Sequence, residues 1–187
     1  MFITEIDNAL KVLKQEQTIL YATDTVWGIG CDATNEKAVS KIFEIKKREN
    51  SKSLVVLVSS LDMLRSYIEE VPKNVIDILS VVTKPTTIIY KNPKNLARNV
   101  IADDNTVAIR IVNDEFCENL IRLFDRPIVS TSANISGDST PRSFKDISKP
   151  ILDSVDYIVN LAKEEINLKS SSIIQIMEDN KIKIIRD

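Results

Sequence analysis

The sequence predicts an α/β fold, and three observations support it. Apolar runs of strand length alternate with longer segments of helical periodicity along the chain. The run Leu54–Val58 is apolar without interruption, as in a strand covered on both faces. The last two apolar runs, 172–177 and 181–186, are separated by Glu178, Asp179 and Asn180, a hairpin turn that adds antiparallel pairing. The chain has 187 residues, 43% of them hydrophobic and 28% charged, enough for one well-buried core. Residues 1–187 therefore read as one domain.

The elements follow in order. Thr4 with Asp7 resembles a capping box, Asp standing for Glu, and opens a helix carrying Ile6, Leu10 and Leu13. Residues 18–22 read as a buried strand. Asn35 caps a helix that runs to Lys47 with Val39, Ile42, Phe43 and Ile45 on its apolar side. Helical patterns follow over 60–70 and 72–82, the second with Pro72 near its start. Strands are expected at 86–90 and 106–111, a helix at 114–124 and a strand at 127–131. The helix carries Phe116, Leu120, Ile121, Leu123 and Phe124. Residues 132–150, rich in Ser, Asp, Asn and Pro, read as an extended loop with a short helix. A strand near 156–160 precedes the terminal hairpin.

Missing residues exclude whole classes of chemistry. Without histidine there is no Ser-His-Asp triad, Cys-His pair or imidazole metal site. Three glycines, against a usual ~7%, leave no Gly-rich phosphate loop of the Rossmann or Walker kind. Two of the three, Gly28 and Gly30, sit together, where the sequence predicts a backbone needing unusual freedom. A net charge of −2 gives no global pull toward nucleic acid or membrane. Cys31 and Cys117 lack metal-ligand spacing and suit a reducing compartment. The acidic start of the chain and the lack of any ~18-residue apolar run point to a cytoplasmic, soluble protein.

Four polar segments interrupt this apolar framework. Thr23, Asp24 and Thr25 follow the first strand, beside the only tryptophan; they form either a turn over a core Trp27 or a set of ligand donors. Lys46, Lys47, Arg48 and Lys52 end a helix, where they serve as solvated dipole partners or, between helix and buried strand, point inward at an anion. Arg110 closes a β-branched strand, either snorkelling at an edge or gripping a carboxylate or phosphate. Ser130 to Gly137 crowds hydroxyls and an amide at a strand end, as a polar loop or as an anion nest with its backbone N–H groups. Together they describe a pocket for an anionic ligand, with no cluster of acids for a protein metal cage.

These segments, in this order, resemble the YrdC family of threonylcarbamoyl-AMP synthases. The family's Tyr-Pro-Thr-(Asp/Glu)-Thr-x-Tyr-Gly-Leu-Gly stands as Tyr21 to Gly30, with Ala22 and Trp27 in place of proline and tyrosine. Its Lys-x-Arg stands as Lys46-Lys47-Arg48, and its Val-Ala-Val-Arg as Val107 to Arg110. Its Ser-x-Asn-x-Ser-Gly stands as Ser132 to Gly137, trailed by Thr140-Pro141. Ser171 to Ile174 resembles its Ser-Thr-Ile-Val strand, and Ile185-Arg186 its closing Leu-Arg. The Trp-Pro-Gly-Pro-Leu-Thr motif is reduced to Val82 to Thr87, and Leu57 stands where some members carry histidine.

The resemblance implies a single YrdC-like domain, a twisted open sheet of parallel and antiparallel strands flanked by helices. It implies a nucleotidyltransferase that makes threonylcarbamoyl-AMP and pyrophosphate from L-threonine, bicarbonate and ATP with Mg²⁺. That product starts a tRNA modification completed by downstream threonylcarbamoyl-transfer machinery. By the same resemblance Arg110 holds the threonine carboxylate, with Thr25, Ser130 and Ser171 or Ser172 nearby. Lys46, Arg48, Lys52, Thr106, Ser132, Asn134, Thr140 and Arg186 face ATP, and Lys46 and Arg48 offset charge during adenylation. Two other readings are an RNA-binding module contacting tRNA and a relative whose nucleotide pocket serves another carbamoyl or acyl substrate. Aromatic content of 5% and the near-neutral charge argue against the RNA module.

Overall fold

Alternation along the central strands sends successive side chains to opposite faces, and the two faces are covered differently. The computed structural model describes residues 1–48, 54–164, 170–177 and 181–187. Among these, nine strands form one sheet: β1 Ile19–Tyr21, β2 Gly28–Gly30, β3 Val55–Val58, β4 Thr86–Lys91, β5 Thr106–Ile111, β6 Ile128–Ser132, β7 Tyr157–Ile158, β8 Ser172–Ile176 and β9 Ile182–Arg186. Their order is β7-β1-β2-β6-β3-β5-β4-β8-β9. Pairing is parallel for β1/β7, β3/β5 and β4/β8, and antiparallel elsewhere. The expected mixed sheet is present, and the terminal hairpin pairs as expected; its turn, 178–180, lies outside the described residues.

One face is sealed. Val56, Val58, Ile88, Tyr90, Val107, Ile109, Val129, Ile174 and Ile176 join one apolar cluster. Helices α2 (Glu36–Lys46), α3 (Leu61–Tyr67), α4 (Lys73–Val81) and α6 (Lys149–Ser154) contribute Ile42, Phe43, Leu64, Val75 and Ile151 to it. The opposite face is covered only in part. Helices α1 (Phe2–Lys14) and α5 (Glu115–Phe124) pack Leu13, Phe116, Leu120 and Phe124 over Ile19, Tyr21, Ile128 and Leu57. Each such large side chain buried contributes roughly 1.5–3 kcal/mol. Beyond Leu57 and Ile128 that face carries Ser130, Val55, Ala108 and Arg110, of which Val55 packs against the edge of this second cluster.

Local chemistry sets the ends of the elements. The Asn35 side chain accepts from Ala38 N at the start of α2, and Asp114 does the same for Cys117 N on α5. The first helix begins earlier than the Thr4 capping box predicts: it starts at Phe2, with Met1 as its N-cap and no side-chain cap. The reason is packing, since the Phe2 ring meets Phe116 edge-on at 6.2 Å and draws the first turn onto α5. The loop expected over 132–150 gives up Ser132 to β6 and Lys149 onward to α6. Its short helix is a 3₁₀ turn at Phe144–Asp146, closed by a Ser143/Asp146 capping box.

Gly28 and Gly30 correct the expectation of unusual backbone freedom, since Gly137 is the glycine with positive φ. Gly28–Gly30 is a strand, and the two residues serve space rather than backbone freedom. A Cβ on Gly30 would stand 2.6 Å from Val129 O and 2.7 Å from Tyr21 Cε1. Only glycine lets β2 lie this close beneath the Tyr21 ring. Gly30→Ala is expected to cost about 1–3 kcal/mol, as overpacking does, read as a lower urea midpoint with unchanged m-value. Gly137 is the glycine with a left-handed backbone, at φ +98°.

Candidate functional site

The uncovered part of the second face is a cavity of about 280 Å³. Sheet register builds its floor. Val55 faces Ala108 across β3/β5 and Ser130 across β3/β6, so the three stand in one row. Arg110 stands two residues further along β5, opposite Leu57. The walls come from distant segments: Thr25 after β1, Arg48 after α2, Thr140 after β6, Ser171 before β8 and Arg186 on β9.

Eight of the expected site residues therefore meet in one place: Thr25, Arg48, Arg110, Ser130, Ser132, Thr140, Ser171 and Arg186. Thr131 and Ser170 also line it, and sequence reasoning missed them as site residues. The signal was present, since Thr131 lies between two assigned serines and Ser170 precedes the assigned pair. The other expected residues are elsewhere. Thr106 shares the Arg110 face by alternation but donates its hydroxyl to Asp104 Oδ1 at 2.6 Å. Ser172 is buried at the start of β8, and its hydroxyl reaches Asp187 Oδ1 at 3.4 Å. Asn134 lines a separate pocket with Asp138, Ser139 and Asp146. Lys46 lies behind the Ser132–Asn134 loop, and Lys52 is outside the described residues.

Arg110 is the best-buried cation of the cavity. Its Nη1 donates to Asp24 Oδ1 at 2.5 Å, with side chains 4% and 9% exposed. This fixes the guanidinium plane while Nε has no partner among the described residues. Such a fork, anchored on one side, is arranged to receive a carboxylate or phosphate on the other. Burial raises the Asp24 carboxyl above its usual range even though Arg110 opposes that shift. The pair is therefore a desolvated one that excludes water rather than a surface ornament.

Hydroxyls complete the lining. Thr23 Oγ1 accepts from Thr25 N and Val26 N and lies 2.9 Å from Thr25 Oγ1, which holds the Thr23–Val26 turn against the cavity. The nearby Trp27 is fully buried and packs on Phe144 with centroids 5.1 Å apart, so it serves the core. Ser171 Oγ pairs with Thr87 Oγ1 at 2.8 Å, and its carbonyl accepts from Arg186 Nε and Nη2 at 3.0 and 2.8 Å.

Ser130 to Gly137 reads either as a polar loop or as an anion nest, and several backbone N–H groups after β6 are already paired within the protein. The N–H groups of Ala133, Asn134, Ser136 and Asp138 are spent on Trp27, Ser132, Lys46 and Ile135 carbonyls. The cavity lining presents hydroxyls and guanidinium groups to a ligand. Among the described residues the lining thus joins three arginines to a ring of hydroxyls and contains no carboxylate. Among the described residues no group of three acids or thiols is placed to hold a metal. No helix of the described residues is long and apolar enough to cross a membrane.

Comparison with known proteins decides the family. The Sua5/YciO/YrdC family model, described as telomere recombination, matches residues 11–187. The chain belongs to the Sua5/YciO/YrdC family. A relative in Methanocaldococcus jannaschii is 35% identical over 98% of this chain and 87% of its own. The threonylcarbamoyl-AMP synthase of Psychromonas ingrahamii is 33% identical over 78% of each chain. Among solved structures, P. abyssi Sua5 complexed with L-threonine superposes with a TM-score of 0.86 at 25% identity. That match covers 97% of this chain and 53% of the Sua5 chain, so this chain spans about half the length of that Sua5. The matched span, 11–187, contains every described residue of the cavity lining.

Proposed function

We propose that the chain is a threonylcarbamoyl-AMP synthase. The observation that carries this reading is the convergence of Arg48, Arg110 and Arg186 with a ring of hydroxyls in one cavity of a Sua5/YciO/YrdC sheet. Relatives of similar length bear that activity in their names, and the Sua5 neighbour binds L-threonine.

The chemistry suits a site without histidine. The threonine amine and bicarbonate give a carbamate and water. A carbamate oxygen then forms a bond to the α-phosphorus of ATP while the bond to pyrophosphate breaks. The nucleophile comes from the substrate, so the protein aligns anions and offsets developing charge. Arg110, braced by Asp24, takes the threonine carboxylate, with Thr25, Ser130 and Ser171 beside it. Arg48 and Arg186 face the nucleotide with Ser132 and Thr140. Mg²⁺ would be held chiefly by the triphosphate oxygens, with the hydroxyls of Ser132 and Thr140 beside it, and would supply positive charge to the phosphates. The product would serve the modification of an adenosine in tRNA, with a separate transfer machinery as the next partner. A cytoplasmic setting belongs to the same proposal and suits two free, buried thiols.

Incubation of the protein with ATP, Mg²⁺, bicarbonate and threonine is expected to release pyrophosphate only when threonine is present. Pyrophosphate release independent of threonine, but dependent on another amino acid, would assign a different acyl substrate to the pocket. Salt-sensitive tRNA binding with no ATP turnover would favour an RNA-binding role.

A further inference from the structure

Lys46 is 2% exposed, and it is not part of the cavity lining. Its ammonium donates to Ser132 O at 2.5 Å and Asn134 O at 2.7 Å and reaches Asn134 Oδ1 at 3.4 Å. An ammonium has three protons, and three acceptors surround it. The Lys46 carbonyl in turn accepts from Ser136 N at 2.9 Å. One residue at the end of α2 thus ties the segment 132–136 by both its side chain and its main chain. The front of that segment is the cavity wall, where Ser132 contributes its lining.

We propose that Lys46 is a positioning residue, a cation that gathers the carbonyls behind the Ser132–Ser136 segment so that the cavity-side groups of that segment keep their places. On this view the charge of the substrates is met by Arg48, Arg110 and Arg186. Contact between the Lys46 ammonium and a phosphate would require breaking bonds already made to the half-buried Ser132 and Asn134 carbonyls. Burial and, after it, the nearby Arg48 lower the Lys46 pKa to about 8. The clamp exists without any ligand; only its bearing on ATP rests on the synthase reading.

Hydrogen exchange of the ligand-free protein tests the clamp directly. Lys46→Met is expected to speed exchange in peptides covering Ser132–Ser136 by about tenfold or more, while Arg48→Met leaves them unchanged. In the wild-type protein, the ¹⁵N signal of the Lys46 ammonium is expected to be protected in the free state and unmoved by Mg²⁺-ATP. Unchanged exchange in Lys46→Met, or a shift of that signal on nucleotide binding, would overturn the proposal. Should Lys46→Met fail to fold, the wild-type ammonium measurement still decides. In kinetics, Lys46→Met is expected to raise KM for ATP about tenfold and leave KM for threonine within about twofold, a split that a general loss of stability does not produce. A wild-type protein with no threonine-dependent pyrophosphate release would refute the synthase reading and leave the exchange result standing.

Discussion

Arg110→Lys is expected to raise KM for threonine about 10- to 100-fold, the loss of one charge-assisted bond worth ~1.5–3 kcal/mol. KM for ATP should stay within about twofold. Lysine keeps the charge and loses the planar fork. The ammonium cannot bond Asp24 on one side and a carboxylate on the other in fixed geometry. Initial rates at varied threonine check this, and an unchanged threonine KM would remove Arg110 from the threonine subsite. Arg110→Met carries a second expectation. Without its cation the buried Asp24 carboxyl rises further above its unfolded value. The folded state then binds the proton more tightly than the unfolded state, so this contribution to stability is present at low pH. It is lost as pH rises through the window above the unfolded carboxylate value of 3.8. Denaturant midpoints measured from pH 4 upward should fall more steeply in Arg110→Met than in wild type.

Arg48→Met is expected to lower kcat/KM for ATP about 10²- to 10³-fold, the range seen when one preorganised donor to a developing charge is removed. Arg48 lies on the cavity wall after the left-handed residue Lys47, which ends α2 and turns the chain toward β3. The side chain is half-buried, so the loss of folding stability should be modest beside the loss of turnover. Single-turnover measurements separate the two: binding of ATP weakens and the adenylation step slows. A variant that keeps its adenylation rate would confine Arg48 to the protein surface.

Much of this arrangement was legible in the sequence because hydrophobic pattern and caps are local signals. Asn35 caps its helix as the pattern places it, the helix expected at 114–124 runs Glu115–Phe124, and β5 spans Thr106–Ile111 as read. The misses have non-local causes. Gly-Ile-Gly carries no alternation of side chains, so β2 is visible only through its neighbours Tyr21 and Val129. The helix start at Phe2 is set by a ring 114 positions away, Phe116. The site shows the same division. Residue types at strand ends identified the arginines and hydroxyls of the cavity. What turns Lys46 away from it is a set of carbonyls 86 and 88 residues along the chain, which sequence pattern does not report. Asp24 was visible as a donor in a turn, yet its partnership with Arg110 depends on β5 being laid beside β3.

The cavity walls come from Thr25 through Arg186 and from strands across most of the sheet. No local fragment contains the site, so a ligand that fits it binds only the fully assembled sheet. Occupancy then acts on the global unfolding equilibrium rather than on one loop, and at a hundredfold excess over Kd it adds about 2.7 kcal/mol to the stability of the whole. The substrates of this protein are thereby also ligands for its folded state, and their supply sets how much of the chain survives a rise in temperature.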